Sequence, residues 1–187
     1  MLAPKQNGCR TRFITILKEI APEDSSLVLE SYHIEDDTSD DDAWLSILSF
    51  ANDICFHAPA RAYVTAWPSA AYQYRFREPN PWDGPWKGHS THVLDVAYLF
   101  LNYNEFLTPP QTAFATQFAT DVISFVNGVS PFPAFEQASP FVKEYISDTG
   151  EDHVKGRGKR EDSVWPELFS RVGYDTLSAV WAKFLSS

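Results

Sequence analysis

The stretch from residue 71 to residue 100, AYQYRFREPNPWDGPWKGHSTHVLDVAYLF, changes its pattern twice along its length. Aromatic residues alternate with other residues over 71–76, which predicts a β-strand with its aromatic side chains on one face. Pro, Asn, Asp and Gly then crowd 78–86, which predicts an ordered loop. The loop leads to His89 and His92. We therefore expect the order strand, loop, histidine pair in the middle of the chain.

Apolar residues recur at helical spacing on both sides of this stretch. Pro109 and Pro110 suit a helix start and Asn127-Gly128 is a stop signal, so the helix between them is the most clearly bounded. Its residues Phe114, Phe118, Val122, Phe125 and Val126 predict one buried face. The remaining predicted helices cover 10–20, 23–32, 44–55, 58–67 and 175–185, and the pieces at 44–55 and 58–67 read as buried helices.

Composition limits the classes of function. The chain has 187 residues, which fits one domain with a sizeable core. A net charge of −10 repels a phosphate backbone, so we expect no nucleic-acid partner. No signal peptide and no run long enough for a membrane helix are present, so the sequence as written predicts a soluble protein of the cytoplasm. The two cysteines, Cys9 and Cys55, are too few for a disulfide framework, and we expect both to be reduced thiols.

Two charged stretches read as exposed loops. The acidic run over 35–42 resists packing and supplies N-cap residues for the next helix. It lacks the glycine and the distal glutamate of an EF-hand, so calcium binding is set aside. The stretch over 150–162 has mixed charge and two glycines near its centre.

The histidine pair allows three interpretations from the residues alone. His89, His92 and Asp95 succeed one another at intervals of three, so on a helix they could meet one metal ion. No further His, Cys or Asp cluster completes a ligand shell, and we expect no metal site. The other interpretations are two surface histidines without a role, or one catalytic histidine with a bystander.

A family resemblance favours the catalytic interpretation. The segment 92–100, HVLDVAYLF, resembles the segment around the catalytic histidine of type-B carboxylesterases, the carboxylesterase, lipase and cholinesterase family of α/β-hydrolases. Residues 52–59, NDICFHAP, resemble the Asp-x-x-Phe-x-x-Pro step of that family, and 71–76 resembles the strand that enters its histidine loop. Residues 111–131 resemble a downstream helix that ends in Phe-x-x-Gly near a Pro. The likeness spans 27–185 in family order.

The resemblance implies an α/β fold. Residues 1–187 would form a single partial domain, the C-terminal portion of an α/β-hydrolase fold. This portion would be mostly helical, with one or two strands and an incomplete central sheet. Because parallel sheets depend on helices that cover both sides, we expect an exposed apolar patch.

The resemblance also implies a role for His92. In the family a serine attacks an ester carbonyl, the histidine accepts the serine proton and returns it to the leaving alcohol, and an acid orients the imidazole. By this resemblance, His92 corresponds to the catalytic histidine, because Asp95 follows it by three residues as an acid does in the family. Asp95 itself is expected to be a structural or supporting residue, because the catalytic acid of the family lies far upstream of the histidine. The residues 7–12 loosely match the segment that leads to that acid, yet they offer arginines, so no triad acid is assigned.

Other catalytic parts are not found in this sequence. No G-x-S-x-G nucleophile elbow and no HGGG oxyanion loop occur. We therefore expect a carboxylic ester hydrolase family member that needs no cofactor and is inactive alone. A small-molecule or lipid ester would bind only together with the missing part. The alternative is a non-catalytic interaction module, derived from an esterase, that docks on a protein partner through its exposed apolar surface.

Overall fold

The computed structural model describes residues 7–147 and 164–187 of the chain. The chain divides into two compact units, Met1–Arg61 with Arg157–Ser187 and Ala62–Gly156. Each unit has a hydrophobic core of its own, and the single partial domain over 1–187 stays a prediction. The described residues are mostly helical and contain one small parallel sheet, so the chain is α/β at this coarse level.

Most elements of the described residues are helices, and two are short strands. They are α1 (Cys9–Ile20), α2 (Ser25–Ser31), α3 (Asp40–Asn52), a π-helical turn (Asp53–His57), α4 (Ala58–Ala66), β1 (Tyr74–Phe76), α5 (Leu94–Leu99), a 3-10 turn (Asn104–Phe106), α6 (Pro109–Val126), β2 (Lys143–Tyr145), α7 (Val164–Val172) and α8 (Tyr174–Ser186). The boundary between the two units falls within α4.

The core of the first unit is formed by α1, α2, α3, α7 and α8, and Phe13 lies at its centre. The Phe13 ring meets Phe50 of α3 edge to face at 5.1 Å between centroids, and Phe184 of α8 at 5.7 Å. Tyr32 packs against Phe50 in the same manner at 5.3 Å. These edge-to-face pairs add to the free energy gained by burying the rings.

The predicted helices of the first unit are confirmed, with shifts of a few residues at their ends. The helices predicted over 10–20, 23–32 and 175–185 correspond to α1, α2 and α8. Burial was predicted wrongly for the piece over 58–67, because Val64 is the one buried residue of α4. Apolar spacing predicts a face but does not say whether another element covers it.

The acidic run is partly loop and partly helix. Asp40, Asp41 and Asp42 form the first turn of α3, where carboxylates favour the helix dipole. Ser39 is the N-cap, and its side chain accepts a hydrogen bond from the Asp42 amide at 3.1 Å. The expectation that this run supplies helix N-cap residues is thus met by Ser39. The stretch predicted as an exposed loop over 150–162 lies outside the described residues.

The sheet of the second unit has two strands. Tyr74, Arg75 and Phe76 of β1 pair in parallel with Lys143, Glu144 and Tyr145 of β2. The strand predicted over 71–76 is therefore confirmed but shorter. Ahead of it, the carbonyls of Ala71 and Gln73 still accept amides of Phe135 and Lys143, at 2.8 and 3.0 Å.

The two faces of this sheet differ in chemistry because successive side chains of a strand point to opposite sides. On one face Phe76 packs against Tyr98 of α5 and Phe118 of α6, at 5.6 and 5.7 Å between ring centroids. On the other face Arg75 and Arg77 both pair with Glu144, at 3.3 and 3.0 Å. One face is thus covered by helices, while the other carries charges.

Local signals set both ends of α6. Thr108 precedes Pro109, and its amide donates to Gln111 Oε1 at 3.1 Å, as in a capping box. At the other end Gly128 has a φ of 76°, and its amide donates to the Phe125 carbonyl while that of Val129 donates to the Ser124 carbonyl. This pair of bonds is a Schellman motif, which needs the left-handed residue that glycine supplies.

The predicted apolar face of α6 is buried over part of its length. Phe118 is buried and Phe114 and Val122 pack against the same core. Phe125 and Val126 were predicted to share this face, but 55% and 76% of their surface is exposed. Further large apolar residues are exposed in this unit, among them Tyr63, Trp67, Phe100, Phe106, Ile123 and Val129.

Candidate functional site

His92 lies at the end of the loop 77–93, which joins β1 to α5. The loop is closed on itself, since the Asn80 amide donates to the His89 carbonyl at 3.0 Å and the Gly88 amide to the Asn80 carbonyl at 2.9 Å. Ser90 then donates its hydroxyl to the carbonyl of Phe76, the last residue of β1, at 3.2 Å. This bond brings the residues just before His92 back to the carboxyl end of the strand.

The backbone beside His92 has an unusual conformation. Val93 has a φ of 59°, in the left-handed region, although it is β-branched, and 57% of its surface is exposed. Such a conformation is rare for a residue with a branched Cβ, and residues of this kind cluster at functional sites. Since α5 starts at the next residue, the turn at Val93 sets how His92 is presented ahead of the helix.

The two histidines differ in their surroundings, although both side chains are exposed. His89 belongs to the closed part of the loop, and its ring meets the Trp86 ring edge to face at 6.4 Å. His92 comes after that closed part and stands at the turn into α5. Both histidines belong to the same loop, and the catalytic role of His92 stays a prediction.

Asp95 contacts the strand. The Tyr74 hydroxyl donates to its carboxylate oxygen Oδ2 at 3.4 Å, and its Oδ1 accepts the amide of Val96 at 3.0 Å. Burial, with a smaller contribution from the negative charge of Asp95, raises the pKa of Tyr74. The carboxylate therefore ties α5 to β1, which is a structural contact of the kind expected for this residue.

A metal site at the histidine pair would need three ligands that converge. Within residues 7–147 and 164–187, no three His, Cys, Asp or Glu side chains come together in a group that could hold a metal ion. His89, His92 and Asp95 thus do not form such a group.

A buried carboxylate near the same strand ends was missed by the sequence reasoning. Glu78 is fully buried two residues after β1. Its Oε1 accepts bonds from Gln111 Nε2 at 3.1 Å and from the Ser147 hydroxyl at 2.8 Å, and its Oε2 accepts the Ser147 amide at 2.5 Å. Glu78 thereby joins the carboxyl ends of β1 and β2 to the first turn of α6. Its position in a Pro-rich stretch predicted a loop and gave no sign of burial.

A second buried acid supports the same unit. The Tyr145 hydroxyl donates to Asp121 at 2.5 Å, and Gln117 Nε2 donates to the other carboxylate oxygen at 2.8 Å. Burial, with a smaller contribution from the bond to Asp121, raises the pKa of Tyr145. Because both atoms of this carboxylate are hydrogen-bonded within the core, Asp121 holds β2 against α6.

The segment NDICFHAP, which resembles the Asp-x-x-Phe-x-x-Pro step, holds the π-helical turn of the first unit. Asp53 is buried and accepts the Tyr32 hydroxyl at 2.9 Å. His57 Nδ1 lies 3.9 Å from the Asp53 carboxylate, one turn away. π-Helical turns are frequent at functional sites, so this acid and histidine are a second cluster of polar groups in the molecule.

Both cysteines are free thiols, as predicted, but their surroundings differ. Cys9 is buried at the start of α1, and burial, with a smaller contribution from the charge of Asp40, raises its pKa. The Asp40 carboxylate accepts the amides of Gly8 and Arg10, at 2.6 and 3.2 Å, and these bonds lower its own pKa. Cys55 lies exposed in the π-helical turn.

Comparisons with known proteins do not assign a family. No family model matches the chain, and neither the curated proteins nor the solved structures give a significant match. In the part of the chain that the structure covers, no helix is both long and apolar enough to cross a bilayer. The likeness to type-B carboxylesterases rests on the sequence motifs and stays a prediction.

Proposed function

We propose that the chain is the histidine-bearing part of an ester hydrolase related to type-B carboxylesterases. In this proposal β1 and β2 belong to an α/β-hydrolase sheet that is incomplete here. The observation that carries it is the position of His92, which the Ser90 to Phe76 bond of 3.2 Å keeps near the carboxyl end of a parallel strand. In open α/β folds, ligands bind outside the carboxyl ends of the strands.

The proposed chemistry assigns one role to His92. Its neutral imidazole accepts the proton of a serine hydroxyl as the serine oxygen attacks the ester carbonyl. The same proton then passes to the departing alkoxide, and an acyl-serine remains until water repeats the sequence. The left-handed turn at Val93 supports this role, since backbone strain is kept where it serves function.

The chain alone is proposed to be inactive. A histidine base without a serine held in hydrogen-bond reach has no nucleophile to activate. The G-x-S-x-G elbow that would present such a serine does not occur in the sequence. Asp95 does not replace the triad acid in this scheme, because the acid of the family lies far upstream of its histidine.

Labelling with a fluorophosphonate probe tests inactivity. The purified chain should neither bind the probe covalently nor hydrolyse a short p-nitrophenyl ester, in the native form and in the His92→Ala variant alike. The His89→Ala variant is the matched control, because it removes the neighbouring imidazole of the same loop. Strong labelling that His92→Ala abolishes and His89→Ala preserves would overturn the inactive assignment.

Sequencing of the transcript tests the family assignment itself. If the reading frame continues upstream of the Met1 codon, a G-x-S-x-G segment should appear in it. A stop codon in frame directly upstream would contradict the proposal that the chain is part of a larger, working esterase and would favour the second candidate.

The second candidate is a non-catalytic interaction module. Exposed apolar residues in and beside α5 favour it, because Val96 in the helix and Val93 and Phe100 at its two ends all have exposed side chains. Exposed apolar side chains that lie near one another in a chain can mark an interaction site. Photo-crosslinking from position 96 tests it: a discrete adduct that Phe100→Asp removes favours a module, and the absence of any adduct counts against it.

A further inference from the structure

The carboxylate of Glu78 has one hydrogen-bond acceptor position to which no described residue donates. A carboxylate offers about four acceptor positions. Within the described residues it receives three hydrogen bonds, two at Oε1 and one at Oε2. One position, on Oε2, is left at a site without access to bulk solvent, because Glu78 is fully buried.

The hydroxyl of Tyr98 lies in the same corner of the second unit. Its ring packs at 5.6 Å from Phe76, two residues before Glu78, and at 5.4 Å from Phe114, one helical turn after Gln111. Burial, with a smaller contribution from the charge of Glu78, raises the pKa of Tyr98. The hydroxyl is buried and has no hydrogen-bond partner within residues 7–147 and 164–187. Buried hydroxyls without a partner are rare, since each costs free energy.

We propose that one bound water molecule joins the Tyr98 hydroxyl to Glu78 Oε2, and that this bridge positions the loop that carries His92. The two side chains flank that loop, since Glu78 is its second residue and Tyr98 belongs to the helix after it. A buried water is commonly held by two to four polar groups that would otherwise be unsatisfied. A water-mediated bond is nearly as favourable in enthalpy as a direct one.

The bridge completes a clamp around the loop. The Ser90 to Phe76 bond holds the end of the loop to the strand, and the Asn80 bonds close its middle. The link between Glu78 and Tyr98 would fix the start of the loop relative to α5. Tyr98 is therefore a positioning residue for His92, and this inference holds for a catalytic and for a non-catalytic chain.

Tyr98→Phe tests for the bridging water, because the variant lowers folding stability if the hydroxyl is hydrogen-bonded and raises it if the hydroxyl is not. If the bridge exists, the variant should lower the equilibrium constant for folding about five-fold, as the loss of one ordinary hydrogen bond would. If the hydroxyl has no partner, the same variant should raise the equilibrium constant for folding, since phenylalanine would remove an unsatisfied polar group. Tyr63→Phe, at a tyrosine that is 65% exposed, is the matched control and should change nothing.

The imidazole signals of His92 test positioning. In Tyr98→Phe the NMR resonances of His92 should shift, while those of His57 in the first unit stay in place as an internal reference. Unchanged or increased stability of Tyr98→Phe would overturn the water bridge. Reduced stability with an unmoved His92 signal would overturn the positioning role. Neither measurement depends on ester hydrolysis, so their failure is separate from failure of the proposed function.

Discussion

Replacing Val93 by alanine and, separately, by glycine tests the backbone geometry beside His92. Val93 has a φ of 59°, where a Cβ atom crowds the neighbouring carbonyl. Alanine keeps that Cβ and glycine removes it. Comparison of the two variants isolates the backbone, because neither has a valine side chain left to pack.

The expected difference arises from two opposing effects. A left-handed conformation costs a residue with a Cβ roughly 1–2 kcal/mol. Glycine gains about 0.4–1 kcal/mol of conformational freedom in the unfolded chain, which acts against it. Val93→Gly should therefore be more stable than Val93→Ala by about 0.5–1 kcal/mol. The matched pair at Val96, inside α5 and 43% exposed, should behave oppositely, with glycine less stable than alanine by about 1 kcal/mol.

Urea denaturation monitored by circular dichroism measures all four variants. The result to look for is an inversion, with glycine above alanine at position 93 and below it at position 96. If glycine is the less stable residue at both positions, then Val93 is not held in the left-handed region. In that case the turn beside His92 does not carry backbone strain.

Three further predictions concern the core of the second unit, the free thiols and the carboxylate of Asp40. Phe118→Ala should lower the free energy of unfolding by about 3–5 kcal/mol, as is usual for a buried aromatic residue. Leu185→Ala, at an exposed position, should change it by no more than about 0.5 kcal/mol, and equal effects of the two variants in urea titrations would contradict the burial of Phe118. Iodoacetamide at pH 8 should alkylate Cys55 quickly and Cys9 slowly, because Cys9 is buried and its pKa is raised. Peptide mass spectrometry measures the two alkylation rates, and faster modification of Cys9 would contradict the packing of α1. The pKa of Asp40 is lowered in the folded chain, so the ionised carboxylate stabilises the fold above the unfolded pKa, and this stabilisation is lost as pH falls through the lower folded pKa. The difference in Tm between wild type and Asp40→Asn should therefore decrease on acidification, and a constant difference down to about pH 2 would contradict this.

Features with local causes could be predicted from the sequence. The start of α6 depends on Thr108 and Pro109, and its end on Gly128, all within a turn of the helix terminus. The alternation over 71–76 likewise predicted the aromatic face of β1, which packs against α5 and α6. Such signals act over a few residues, so one sequence suffices to find them.

Features that depend on distant partners could not be predicted. The strand β2 has three residues and no clear alternation, and it exists through its pairing with β1. Glu78 is buried because Ser147, 69 residues away, donates two hydrogen bonds to it. The exposure of Val126 is a similar case, since periodicity placed it on the apolar face of α6 without showing how far the covering layer extends.

The candidate site was predicted in part. The predicted order of strand, loop and histidine pair is the order that the structure has, and the catalytic role given to His92 stays a prediction. The left-handed turn at Val93 has no sequence signal, because valine is among the residues least suited to it. The bond from Tyr74 to Asp95 was equally hidden, since it joins a strand and a helix across the loop.

The charged face of the small sheet restricts what can cover it. The side chains of Arg75, Arg77 and Glu144 are all partly exposed, and water completes the solvation of their charges. A neighbour that excluded this water would have to supply carboxylates and hydrogen-bond donors in return, because charges without partners are expensive to bury. An aliphatic helix, the usual cover of a parallel sheet, would be rejected there, and selection on this side would depend on the pattern of charge.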